Sequence, residues 1–275
     1  MSEASEKLSG ATLRRLLQLV KVHTGITMEE RKRELLFGRI RPRMRALGHE
    51  TPEQYVDYLE SNSEETQEFV NRVTTNETLF FRTPIIWEFF TTSYLPEWYA
   101  KNPDQVLKIW SAASSSGEEA CSIAMSCEEF RLKNPSFRYK IQASDISTDV
   151  LNIARHGNFK DKSVEDLRKK QPMIFEKYFR ENSSGQARFA EHVLGTIEFF
   201  VHNLHNRSPK TEFFDLVFLR NVLIYFNEAD QELVLRNIHG ALKNGGTLIV
   251  GESESLARLK TSFEFSRPLI YKRTA

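Results

Sequence analysis

Three kinds of residue in this chain are placed where they could do chemistry. An apolar run at residues 106–110 leads into Ser111-Ala112-Ala113-Ser114-Ser115-Ser116-Gly117-Glu118-Glu119. Side chains that small let a backbone approach a bound ligand closely, and the first strand-to-helix turn of an open parallel sheet is where such ligands sit. A serine-rich turn also starts many helices that bind nothing. Asp145 ends a second strand-like run, residues 139–144, and an acid there can accept both hydroxyls of a ribose; it can equally cap the following helix. His202 and His205 have metal-ligand spacing but no acid or cysteine cluster beside them, so no metal site is expected.

Strands and helices must position these groups. Residues 8–72 read as helical: Leu13, Leu16, Leu17 and Val20 repeat at the spacing of one buried helix face. Gly25 and Gly48 are helix stops, Thr51 and Pro52 a helix start, and Pro42 should kink or break a helix. From about residue 101 strands and helices alternate. Strands are expected at 106–112, 139–144, 197–202, 213–219 and 247–251, and helices at 118–132, 149–156 and 228–242. The last helix should end at Lys243-Asn244-Gly245-Gly246, and residues 263–265 and 269–272 should form a closing hairpin. Such alternation implies a mostly parallel sheet covered on both faces. Residues 158–196 interrupt it; the stretch is too long for a plain loop, and Phe159, Phe175, Tyr178, Phe179 and Phe189 suit a folded insert.

Composition bounds the rest. The 275 residues, 40% hydrophobic with 20 phenylalanines, fit a large domain plus a small one. No apolar run approaches the roughly 18 residues of a membrane span, and the first residues carry no signal-peptide pattern, so a cytoplasmic protein is expected. Cys121 and Cys127 lie about 240° apart on one helix and should not pair. A net charge of +1 argues against a general nucleic-acid binder. The charge is uneven, however: residues 31–45 hold seven basic residues and one acid, and residues 53–68 hold six acids and no base.

The segment Thr74-Thr75-Asn76-Glu77-Thr78-Leu79-Phe80-Phe81-Arg82, the turn from Ser111 to Glu119, and Phe214-Asp215-Leu216-Val217-Phe218-Leu219-Arg220-Asn221-Val222-Leu223-Ile224-Tyr225-Phe226 occur here in that order. Together they resemble the chemotaxis receptor methyltransferases, the CheR family, over most of the chain. The resemblance implies a small helical domain (residues 1–75) and a seven-stranded Rossmann-like methyltransferase domain (76–275) with a small β-subdomain inserted at about 158–196. It implies S-adenosylmethionine as cofactor, S-adenosylhomocysteine as product, and methyl esters on receptor glutamates as the outcome. By the same resemblance Asn76, Thr78, Arg82, Ala112, Gly117, Glu118, Asp145, Asn203, Leu204, Arg220 and Asn221 hold the cofactor. Arg82, Arg220 and Tyr225 then serve the reaction, Tyr225 near the methyl group. The family usually has glycine where Ala113 stands and Pro-Tyr where Ala120-Cys121 stand; Ala113 is compatible only with a negative φ.

A glutamate acceptor is already ionised near neutrality, with a reference pKa of about 4.3, so no essential general base is expected. Arg39, Arg41, Arg43 and Arg45 fall at i, i+4 spacing and form a candidate docking face for the acidic methylation helices of a receptor. A solvated charged face is the plainer account of such a run. Expected partners are chemotaxis-type receptors, through their methylation helices and through a C-terminal tail that some relatives capture on the insert. Neither nucleic acid nor membrane insertion is expected. The competing reading is a cofactor-binding scaffold of weak or lost activity, with Ala113 and the missing Pro-Tyr in its favour.

Overall fold

The computed structural model describes residues 8–183 and 185–274. It opens with four helices, α1 (Gly10–Thr24), α2 (Arg33–Ala46), α3 (Pro52–Ser61) and α4 (Glu65–Val73). Leu13, Leu16 and Val20 of α1 are buried against Leu36, Ile40, Tyr55, Val56 and Phe69, with Leu17 at the margin. Gly25 ends α1 in a left-handed conformation, and Thr51 caps α3 ahead of Pro52 in a reciprocal arrangement with Gln54. Pro42 does not break α2, which runs on to Ala46. One missing N–H there is outweighed by burial of Leu36, Ile40 and Met44 on the same face.

A linker leads to α5 (Pro84–Phe89), a π-helical turn (Phe90–Tyr94) and α6 (Leu95–Lys101), which follow one another without a break. The alternating region comprises β1 (Val106–Ser111), α7 (Glu118–Lys133), β2 (Arg138–Asp145) and α8 (Thr148–His156). The insert adds β3 (Asn158–Phe159), α9 (Asp161–Lys170), α10 (Pro172–Tyr178), β4 (Phe179–Glu181), β5 (Ala187–Phe189) and α11 (Glu191–Leu194). The chain closes with β6 (Ile197–Val201), β7 (Phe214–Leu219), α12 (Glu228–Ala241), β8 (Leu242–Val250), β9 (Phe263–Arg267) and β10 (Ile270–Arg273).

The main sheet has seven strands in the order β6-β2-β1-β7-β8-β10-β9, parallel except for the terminal hairpin. Alternation sends Leu107 and Ile109 of β1 to one face, under α5 to α7, and Trp110 to the other, under α12. The chain lays strands to one side of β1 first (β2, then β6) and to the other side afterwards (β7, then β8). The switch point therefore lies between β1 and β7, where open sheets bind ligands beyond their carboxyl ends.

One expectation needs correction. β8 begins at Leu242, five residues before the expected Thr247, because Leu242 already pairs with Phe214; Lys243 to Gly246 form an irregular excursion before Leu216 pairs with Thr247. The insert carries the expected small antiparallel sheet, in the order β3-β5-β4 with strands of two and three residues, alongside α9 to α11. Its five expected aromatics are all buried, so it is a folded unit continuous with the core beneath α7.

Candidate active site

Beyond the carboxyl ends of β1, β2 and β7 lies a cleft. Its floor is the turn after β1. Ser111 Oγ donates to Glu119 Oε1 at 2.7 Å, the Ser114 N–H donates to the Ser144 carbonyl at 2.8 Å, and the Ser115 N–H donates to Asp145 Oδ2 at 2.9 Å. Ser115 adopts φ 49°, the strained left-handed region, whereas Ala113 keeps a negative φ. The backbone objection to Ala113 is thereby removed. Gly117, with φ 97°, starts α7, and a Cβ there would stand 2.9 Å from Ala154 Cβ. Glycine at this position answers to helix packing as much as to any ligand.

Asp145 is buried, and its second oxygen accepts the Ser147 N–H at 3.0 Å. Burial pushes its carboxyl above the usual carboxylate range, against the opposing pull of these backbone N–H groups. Across the switch point Arg220 is nearly fully buried. Its Nη1 meets Glu119 Oε2 at 2.9 Å, and its Nη2 donates to the Arg82 carbonyl at 2.8 Å. This is no surface salt bridge: the pair fastens the end of β7 both to α7 and to the linker. Asn221 sits at φ 57°, in a segment held by a residue the sequence reading passed over. Glu254, after β8, accepts the N–H groups of Asn221, Val222, Leu223 and Gly251 at 2.7–2.8 Å.

The linker forms the roof. Ser115 Oγ donates to the Asn76 carbonyl at 2.7 Å, the Phe81 N–H donates to Ser122 Oγ at 3.0 Å, and Trp87 Nε1 donates to the Arg82 carbonyl at 2.8 Å. Arg82 itself is half-exposed, with Nη1 3.4 Å from the Glu77 carbonyl and no ion pair among the described residues. The far wall comes from the helical domain. Thr24 and Ile26 line the cleft, Asn203 Nδ2 donates to the His23 carbonyl at 3.1 Å, and the Thr27 N–H donates to the Tyr225 carbonyl at 2.9 Å. Lys21 pairs with Asp230, and the absent side chain of Gly25 makes room for the His205 ring, which a Cβ would strike at 1.7 Å.

Of the residues singled out from sequence, Asn76, Thr78, Arg82, Ala112, Asp145, Asn203, Leu204, Arg220, Asn221 and Tyr225 all line this cleft; Gly117 and Glu118 do not. Glu118 turns to Ser116 Oγ at 2.6 Å, and its neighbour Glu119 faces the cleft instead. Adjacent helix positions differ by about 100°, so only one of the two acids can face the strand ends. Residues 76–270 match the family model of the CheR methyltransferase SAM binding domain, and residues 11–74 match that of the CheR methyltransferase all-alpha domain. The chain belongs to the CheR methyltransferase family. It is 34% identical over 274 residues to the chemotaxis protein methyltransferase of Salmonella typhimurium, covering 96% of this chain and 90% of that one. Identity is 34% over 270 residues to the Escherichia coli protein of the same name (96% and 91% covered) and 31% over 268 residues to that of Borreliella burgdorferi (95% and 93%).

S-adenosylmethionine is the cofactor of this family, and the cleft fits it. An acid with both oxygens fixed stands at the end of β2, apolar Ile26, Leu204 and Phe226 offer a face for a base, and polar Thr78, Arg82 and Asn221 lie toward the linker and β7. His202 also lines the cleft; burial lowers its imidazole pKa, and its ring stands edge-on to Trp110 at 5.6 Å. The described residues contain no group of His, Cys, Asp and Glu able to hold a metal. No described helix is long and apolar enough to cross a membrane. Cys121 and Cys127 are both buried free thiols.

The arginine-rich face differs from expectation. Arg39 turns inward to the Val73 carbonyl at 2.5 Å and Thr75 Oγ1 at 2.7 Å, holding the linker. Arg43 makes a two-pronged pair with the buried Glu65, which also accepts the Tyr55 hydroxyl at 3.0 Å. Both guanidinium groups are committed to the fold itself. Arg41 packs near the Phe37 ring at 6.0 Å, and Arg45 is exposed near the end of α2.

Proposed function

We propose that this protein transfers the methyl group of S-adenosylmethionine to glutamate side chains on the methylation helices of chemotaxis-type receptors, with Asp145 receiving the ribose hydroxyls and Asn203-Leu204 flanking the adenine. The observation that carries this reading is the convergence of three separated sequence segments and the end of α1 on one cleft, in a chain alignable with chemotaxis methyltransferases along nearly its whole length. Arg82 lines that cleft with a cation that has no carboxylate partner among the described residues, the charge needed to receive an acceptor carboxylate. Arg220 serves as a strut, because its charge is matched by Glu119. Tyr225, tethered through its carbonyl to Thr27, stands at the mouth where an acceptor side chain enters.

Two of the three acids lining the cleft, Glu77 being the third, are already engaged, which suits an acceptor that needs no base. Glu119 is held by Ser111 and Arg220, and Asp145 by Ser115 and Ser147. The bound cofactor supplies an electrophilic methyl on a cationic sulfur. An ionised glutamate attacking it must be held in line at roughly 3–3.5 Å. The opposite charges cancel as the bond forms, so a roof that excludes water favours the reaction. No observation favours the scaffold alternative now that Ala113 keeps a negative φ.

The test is transfer of labelled methyl from S-adenosylmethionine to a purified receptor cytoplasmic fragment. Alkali-labile label on glutamates is expected, since methyl esters hydrolyse readily. Alkali-stable label, or none with folded and cofactor-bound enzyme, would sink the proposal.

A further inference from the structure

Arg43 is tied to Glu65, whereas Arg39, held to the Val73 carbonyl and Thr75, also lines a groove beside the active-site mouth. This groove runs between α2 and the 3-10 turn Leu223–Tyr225 and shares Ile26, Thr75 and Tyr225 with the active-site cleft. Its rims are Leu35 on α2 and Ile224 on the turn, 48% and 49% exposed, two of the few large apolar side chains left open to solvent. Met28 and Val73 line it as well. Lys32, one helical turn before Leu35, is exposed at its edge and makes no ion pair among the described residues. Apolar rims flanking a continuation of the active-site mouth, with an unmatched cation beside them, suit one occupant: an acidic amphipathic helix.

We infer that this groove seats an apolar side chain of the receptor's methylation helix, one turn from the methylated glutamate. Because the groove and the cleft share a wall at Tyr225, side chains entering both must leave one helix face as neighbours, at i and i+3 or i+4. Lys32 pairs with an acid on the same helix and steers its approach. The rule for choosing a glutamate is then an apolar residue at that spacing, read jointly by the helical and catalytic domains. This inference rests on the methyltransferase reading above and adds the element that selects the site.

The experiment is steady-state methylation of a receptor fragment by wild type, Leu35→Asp and Ile224→Ser, with calorimetric S-adenosylmethionine binding and thermal melting alongside. Both side chains are exposed, so folding should survive. Each substitution should raise KM for receptor by about tenfold or more, as for an interface anchor. The kcat and the cofactor Kd should be unchanged. A matching rise is expected when the receptor's apolar residue at i+3 or i+4 is replaced by aspartate. Unchanged KM in both enzyme variants overturns the groove while leaving the methyltransferase reading intact. Wild-type enzyme that binds cofactor but labels no receptor overturns both.

Discussion

Asp145→Asn should separate stability from binding. The two carboxylate oxygens already accept the Ser115 and Ser147 N–H groups at 2.9 and 3.0 Å, and in the proposed complex each also takes one ribose hydroxyl. An asparagine keeps an acceptor at one end only and turns an N–H₂ toward a backbone N–H at the other. One charge-assisted bond to a hydroxyl is lost, about 1.5–3 kcal/mol, which is roughly a ten- to hundredfold rise in Kd. Without ligand two effects oppose each other. Burial raises the Asp145 pKa, so the folded protein holds that proton more tightly than the unfolded chain does. The residue's contribution to stability is then greatest below its unfolded pKa and declines as pH rises through the raised value. Asparagine removes that penalty but sets its N–H₂ against a backbone N–H, so the ligand-free variant's Tm at pH 8 should shift little compared with the loss of binding.

Calorimetry from pH 5 to pH 8 reads the other half of the argument. Wild-type affinity for S-adenosylhomocysteine should weaken as pH falls through the raised pKa, because a protonated acid cannot accept both hydroxyls. The variant should show a flat profile. A variant that binds within about threefold of wild type would refute the placement of the ribose on Asp145.

Three further substitutions test how the cleft is held. Gly117→Ala forces φ 97° on an L-residue and sets a Cβ 2.9 Å from Ala154; a loss of about 1–3 kcal/mol is expected, read as a fall in Tm of roughly 2–4 °C per kcal/mol. Arg43→Met leaves the buried Glu65 without its cation and should destabilise the helical domain by about 3–5 kcal/mol, a loss that Glu65→Gln in the same chain partly restores in a denaturant melt. Gly25→Ala drives a Cβ into the His205 ring and should unseat α1 from the catalytic domain. Faster proteolysis near residues 74–76 and weaker cofactor binding would show it, since Thr24 and Ile26 then leave the cleft wall.

What could be read from the sequence divides by the range of the forces involved. Strands, helices and the switch-point turn follow from apolar periodicity and from glycine and proline punctuation, and these are local signals. Asp145 was legible for the same reason, as an acid at the end of an apolar run. The choice between Glu118 and Glu119 was not, because it depends on which face of α7 meets the end of β7, a contact with Arg220 made across about a hundred residues. Glu254 was still less visible. Its partners are four backbone N–H groups, which have no side-chain signature, and only their convergence marks the residue.

The arginines show the same limit from the opposite side. An unbroken run of positive charge on one helix is legible, but whether each cation faces solvent or an acid depends on what folds against it. Arg43 meets Glu65, from the very acid-rich stretch whose segregation suggested a docking face, and Arg39 meets the linker. One pair of opposite charges set apart in sequence, Arg43 and Glu65, is matched within the fold, so that cation is not free for a partner as the charge pattern suggested. The structure leaves Lys32, Leu35 and Ile224 open instead. Two of these are apolar, and Arg39 of the run lines the same groove. Recognition at this site should therefore respond both to salt, through Lys32 and Arg39, and to truncation of a single apolar side chain.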